Sequence, residues 1–135
     1  VTELFELGLK ILKSQPFSML LGTELEVFEP GKAVLSLAIN DSLKQQHGFV
    51  HGGVISYLAD NALTYAGGSL LGDSVTSEYK INYLRPGIGD TLVAQASVLS
   101  SGKSQAVCQC EVIAIQDGER RTVAFALGTI RKVGD

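Results

Sequence analysis

His51-Gly52-Gly53-Val54-Ile55-Ser56-Tyr57-Leu58-Ala59-Asp60-Asn61-Ala62-Leu63-Thr64-Tyr65-Ala66 is the stretch that decides how the chain folds. Val54, Ile55, Leu58, Ala59, Ala62, Leu63 and Ala66 recur at helical spacing and make the segment apolar around most of its circumference. A helix of that kind belongs inside a core. Ser56, Asp60 and Thr64 stand four apart, so they form one polar seam along it. Gly67-Gly68 weakens the helix near its end. A carboxylate in such a helix either faces solvent or has a partner or a task, and spacing alone leaves both open. At the other end, His51-Gly52-Gly53 places small residues where the first N–H groups lack intrahelical partners and the macrodipole favours an anion or a polarised carbonyl. A carbonyl held there would feel an oxyanion hole. Asp60 follows Gly52 by eight residues, about 12 Å along one helix, so the two cannot share a small substrate atom within one chain. A carboxylate from a second copy could reach it.

Outward from this helix the period changes to two. Thr23 to Phe28 alternates, Glu29-Pro30-Gly31-Lys32 is a turn, and Leu35, Leu37 and Ile39 share one side, which makes a hairpin. Four further strands are expected over 74–84, 91–100, 104–115 and 120–132, separated by glycine-bearing turns. Residues 2–14 place Leu4, Leu7 or Gly8, Ile11 and Leu12 on one face and read as a short amphipathic helix ended by Pro16. The order α-β-β-α-β-β-β-β implies an α+β fold, an antiparallel sheet with one long buried helix. With no linker, repeat or low-complexity tract, residues 1–135 are expected to form one domain.

Composition limits the function classes. The chain has 135 residues, 45% of them apolar, enough for one core but little for a deep enclosed pocket, so a large ligand would need a second subunit. Eleven Lys and Arg against fourteen Asp and Glu argue against a nucleic-acid backbone binder. The first fifteen residues carry Glu3, Glu6, Lys10 and Lys13, which suits neither a signal peptide nor a membrane span. Cys108 and Cys110 are too few and too close for a disulfide scaffold, so a reducing cytoplasm is expected. Fifteen glycines exceed the usual ~7%, and most fall in turns.

Other motifs carry less. His47 and His51 with Cys108 and Cys110 would make four zinc ligands, but glycines beside both histidines oppose a helix there and Cys-x-Cys is not the usual spacing, so no metal is expected. Ser101-Gly102-Lys103-Ser104 imitates a phosphate-binding loop, yet it joins two strands and lacks the leading glycine. Gly67-Gly68-Ser69-Leu70-Leu71 fails the serine-hydrolase elbow at its last position.

The run Gln45-Gln46-His47-Gly48-Phe49-Val50-His51-Gly52-Gly53 through Asp60-Asn61-Ala62, followed by Tyr83-Leu84-Arg85-Pro86-Gly87, resembles the hot-dog-fold acyl-CoA thioesterases. Within them it is most similar to the phenylacetate-degradation branch, with features of the 4-hydroxybenzoyl-CoA thioesterases. The resemblance implies an antiparallel sheet wrapped around a central helix and hydrolysis of an aryl or medium-chain acyl-CoA. It implies that the Gly52 N–H polarises the thioester carbonyl while Asp60 of the other subunit acts as nucleophile or general base. Gln45 stands where one branch has asparagine and the other glutamine, and Thr64 matches a threonine one turn after the acid. Thr76, with Ser77 beside it, matches a residue that holds the attacking water. His51 is expected to shape the loop by hydrogen-bonding backbone, while Gly53, Phe49 and Val50 border the substrate. Arg85 and Lys103 are reasonable contacts for coenzyme A phosphates, though solvated surface charge explains each as well. Coenzyme A enters as part of the substrate, with no separate cofactor. The expected assembly is a homodimer, pairing further into a dimer of dimers.

A thiolate leaves with a pKa near the ~8.5 of free cysteine, so no strong general acid is needed. Two competitors remain at this level. A hot-dog hydratase or dehydratase would pair a histidine with the acid, and an acyl-CoA-binding module would hold the thioester without cleaving it.

Overall fold

The computed structural model describes residues 1–134. Helix α1 spans Glu3–Lys13, capped by Thr2, whose Oγ1 accepts the Phe5 N–H at 3.1 Å. Glu3 and Glu6 in its first turn and Lys10 and Lys13 in its last complement the helix dipole. Its core face is narrower than the apolar pattern predicts: Gly8 and Leu12 are buried, while Leu7 and Ile11 stay exposed.

Pro16 does not simply close this helix. It opens a second one, α2, over Pro16–Leu21, and the left-handed Gly22 (φ 76°) ends it. Proline suits a first helical turn because its missing N–H has no acceptor there anyway. Strands β1 (Glu24–Glu29) and β2 (Lys32–Ala38) form the expected hairpin. A single 3-10 turn at Asp41–Leu43 and an irregular loop lead to helix α3, Gly52–Leu71. Strands β3 (Ser74–Tyr83), β4 (Thr91–Ser101), β5 (Gln105–Gln116) and β6 (Glu119–Lys132) complete the sheet.

The six strands lie in the order β1-β2-β4-β5-β6-β3, and every neighbouring pair is antiparallel. Along β2, β4, β5 and β6 alternate residues turn inward, among them Leu35, Leu37, Leu92, Ala94, Cys108, Cys110, Ala126 and Ile130. They enclose Leu58, Ala59, Ala62, Leu63 and Ala66 of α3, all fully buried.

Gly67 and Gly68 do not stop α3, which continues to Leu71. At Gly67 an added Cβ would lie 2.7 Å from Ile130 Cβ, so the missing side chain lets the helix settle onto β6. Burial lifts the Cys108 thiol to about 11. Burial, with the neighbouring Glu111 charge, lifts Cys110 to about 12. Both are core side chains.

Candidate active site

The site begins at the N-terminus of α3. His51 is its N-cap, and its Nδ1 accepts the Gly53 N–H at 2.8 Å. That bond takes Gly53 out of the set of free donors and leaves the Gly52 N–H with no partner among the described residues. Tyr83, at the end of β3, donates its hydroxyl to the Gly52 carbonyl at 3.1 Å and packs its ring 3.5 Å from where a Cβ would stand. The helix start is thereby fixed, with one donor open to a ligand.

Two turns along, the polar seam faces β3 rather than open solvent. The Ser56 and Tyr79 hydroxyls meet at 2.5 Å. Thr76 Oγ1 donates to Asp60 Oδ1 at 2.5 Å, and the Thr64 and Thr76 hydroxyls lie 2.8 Å apart. Thr64 Oγ1 also reaches the Asp60 carbonyl at 2.9 Å. A hydroxyl has one hydrogen, so Thr76, having given its own to the carboxylate, can only accept from Thr64, whose single hydrogen is shared between Thr76 Oγ1 and the Asp60 carbonyl. Asp60 is half-buried, its Oδ2 has no hydrogen-bond partner, and no cation pairs with it among the described residues. It borders a hollow of about 450 Å³ with Gln15, Pro16, Tyr57, Asn61 and Thr64.

The far wall of that hollow is a polar knot between α2 and α3 that sequence spacing did not reveal. Tyr57 OH lies 2.6 Å from Ser18 Oγ and 2.8 Å from Thr23 Oγ1. Asn61 Nδ2 donates to Gln15 Oε1 at 3.1 Å, and Ser18 Oγ donates to the same oxygen at 2.6 Å. Its partners lie 34 to 46 residues apart in the chain, so no local pattern announces them. The one available signal was the sequence Gln15-Pro16, a helix start.

Other expected residues are placed unevenly. Gln45 folds its side chain back: Oε1 accepts the His47 N–H at 2.6 Å, while its backbone N–H donates to Phe49 O at 2.8 Å. Phe49 is half-buried in this loop, stacked at a tilt 6.4 Å from His47. Val50 belongs to the core of the chain, donating its N–H to Gly87 O at 2.9 Å and packing against Gly87. Arg85 stands at the Gly52 end of the sheet, its guanidinium donating to Thr122 O at 2.7 Å beside a polar hollow that also includes Arg121. Lys103 lies in the β4–β5 turn at the opposite end of strands spanning about 35 Å, so Arg85 and Lys103 do not converge within one chain. Among the described residues no three His, Cys, Asp or Glu side chains gather into a metal-ligating group.

A central helix wrapped by an antiparallel sheet is the hot-dog fold, and here it bears an open N–H at its start and a threonine-held carboxylate two turns on. The chain belongs to the Thioesterase superfamily, whose family model matches residues 47–120, and it is accordingly a thioester hydrolase. It is 34% identical to the acyl-coenzyme A thioesterase PaaI of Escherichia coli K12 over 115 residues, covering 84% of this chain and 80% of that one. The solved structure of that protein superposes with a TM-score of 0.85 at 30% identity, covering 96% and 93% of the two chains. The medium/long-chain acyl-CoA thioesterase YigI of Salmonella typhimurium is 32% identical over 72% of this chain and 74% of its own. A thioesterase family protein from Silicibacter pomeroyi matches with a TM-score of 0.89 at 32% identity, covering 93% of this chain and 95% of that one.

Proposed function

We propose that the protein hydrolyses an acyl-CoA thioester to the free acid and coenzyme A, at sites shared between two copies of the chain. Support at the level of substrate comes from relatives named as acyl-CoA thioesterases. The observation that carries the shared site is the separation of Gly52 and Asp60 on one helix, about 12 Å apart, too far for both to act on one carbonyl. In this reading the Gly52 N–H of one subunit binds the carbonyl oxygen as it gains charge. Asp60 of the other subunit takes a proton from water through the unpartnered Oδ2, while Thr76 holds Oδ1 and so fixes the plane of the carboxylate. The water oxygen adds to the carbonyl carbon, the tetrahedral intermediate collapses, and the C–S bond breaks. Coenzyme A departs as a thiolate whose pKa of ~8.5 makes prior protonation unnecessary. Arg85, at the Gly52 end, is placed to meet its phosphates.

The sheet edge supplies a means of pairing. β3 is bonded on one side only, and Glu78 and Lys80 flank Tyr79 on it, so an antiparallel pairing about Tyr79 would set Glu78 of each copy opposite Lys80 of the other. Two buried thiols suit the reducing cytoplasm, where we place the protein.

Asp60→Asn keeps shape and hydrogen bonding but removes the base, and should lower kcat about 10²- to 10⁴-fold with little change in ligand affinity. Thiol release measured on acyl-CoA substrates checks this, and turnover at the wild-type rate would rule Asp60 out. Single-turnover hydrolysis in ¹⁸O-labelled water tests for the nucleophile: label in Asp60 requires a mixed anhydride opened at the Asp60 carboxyl, whereas a base leaves all the label in the product acid.

A further inference from the structure

The apolar pattern of α1 is wider than the core it serves. Leu7 and Ile11 fall on the expected buried face, yet they are 51% and 39% exposed. They stand over a groove of about 440 Å³ between α1 and α3, with Leu4 and Phe28 on the walls and Tyr65 and Gly68 along α3. That volume is within the usual range for small-molecule sites, roughly 300–1,000 Å³. The groove is bounded on both sides. Tyr65 OH donates to Gly8 O at 2.9 Å and ties α1 down, and Gly68 has only Ser74 Oγ, 3.9 Å away, near where its Cβ would be. Gln15, Asn61 and Thr64 border both this groove and the hollow at Asp60, so the two spaces adjoin. Gln15 Oε1 is held by Ser18 and Asn61, which fixes the side chain at the junction.

We propose that this groove between α1 and α3 receives the acyl tail, and that it selects an unbranched aliphatic chain of medium length. The inference rests on the hydrolase reading above and assigns the tail to the subunit that supplies Asp60. Its warrant is the apolar wall of Leu4, Leu7, Ile11, Phe28 and Tyr65, which begins beyond the polar junction of Gln15, Asn61 and Thr64 next to the carboxylate. Phe28 and Tyr65 pack edge to face with each other, centroids 5.1 Å apart at 80°, so they present no parallel pair of faces between which a flat aryl ring would be clasped. A flexible chain can follow such a surface, gaining up to about fourfold in kcat/KM per methylene until the groove is full.

The test is kcat/KM for thiol release from butyryl-, hexanoyl-, octanoyl-, decanoyl- and dodecanoyl-CoA, with benzoyl- and phenylacetyl-CoA as aryl arms. The wild type should climb along the aliphatic series and pass the aryl esters. Gly68→Leu fills the groove from α3 and should cut the decanoyl-to-butyryl ratio at least tenfold. Leu7→Gln, on an exposed side chain, should raise KM for decanoyl-CoA severalfold while kcat holds, and it serves if Gly68→Leu does not fold. A wild type that prefers an aryl ester, or folded variants whose ratio and KM move by less than twofold, would overturn the proposal while leaving hydrolysis intact. No thiol release from any of the esters by the wild type would overturn the hydrolase reading itself, a separable result.

Discussion

Thr76 has one hydroxyl hydrogen, and it goes to Asp60. In the proposed mechanism its value to turnover therefore lies in aiming the carboxylate, because toward a water it can only accept. Thr76→Val should lower kcat roughly 10- to 100-fold, the usual worth of a hydrogen bond to a charged group, with KM little moved, whereas Thr76→Ser should stay within about threefold. Steady-state kinetics on one acyl-CoA decides it. The thiols give a second prediction. Cys108 and Cys110, lifted to about 11 and about 12, keep their protons in the folded chain after the unfolded chain has lost them above ~8.5. The unfolded state then binds fewer protons, so stability falls as pH rises from about 8.5 toward those values. Denaturant titrations between pH 8 and 11 should show the decline, and Cys108→Ala with Cys110→Ala should flatten it. At this scale the sequence disclosed the seam, since residues four apart must share a face. It did not disclose that Tyr79 meets the seam at Ser56 or that Tyr83 holds the helix start, because both reach α3 through tertiary pairing, 23 and 31 residues away.

Adjacent glycines on α3 have opposite reasons to exist. At Gly67 a methyl group would run into Ile130, so Gly67→Ala should destabilise by about 1–2 kcal/mol despite the better helix propensity of alanine. At Gly68 the space is open, and Gly68→Ala should stabilise by about 0.5–1 kcal/mol. Urea unfolding of the two variants tests the contrast. The strands and both longer helices were legible because each carries a sustained period of two or 3.6. Helix α2 was not, being six residues long, and Pro16 is equally at home ending one helix or starting the next. Its Gly22, left-handed past the last turn, was the cue that distinguishes them.

At the scale of the whole molecule, a site divided between subunits predicts complementation. Gly52→Pro removes the oxyanion donor at a position where proline suits the helix start, and His51 (φ −58°, ψ 134°) already has the extended geometry that precedes proline. Gly52→Pro and Asp60→Asn should each be inactive alone. Co-expressed, they should recover about a quarter of wild-type activity, since half the random dimers are mixed and each mixed dimer holds one intact site of two. A mixture as inactive as its parents would place both groups in one subunit. The two borders of the sheet also differ. β1 carries Glu24, Glu26 and Glu29 along its length, so two such borders brought together would repel, whereas β3 alternates Glu78 with Lys80. A strand ladder that grew through β3 would therefore stop at two chains. In the proposed dimer one flank would invite a partner and the other refuse a third, which would guard a β-rich protein against polymerising into fibres.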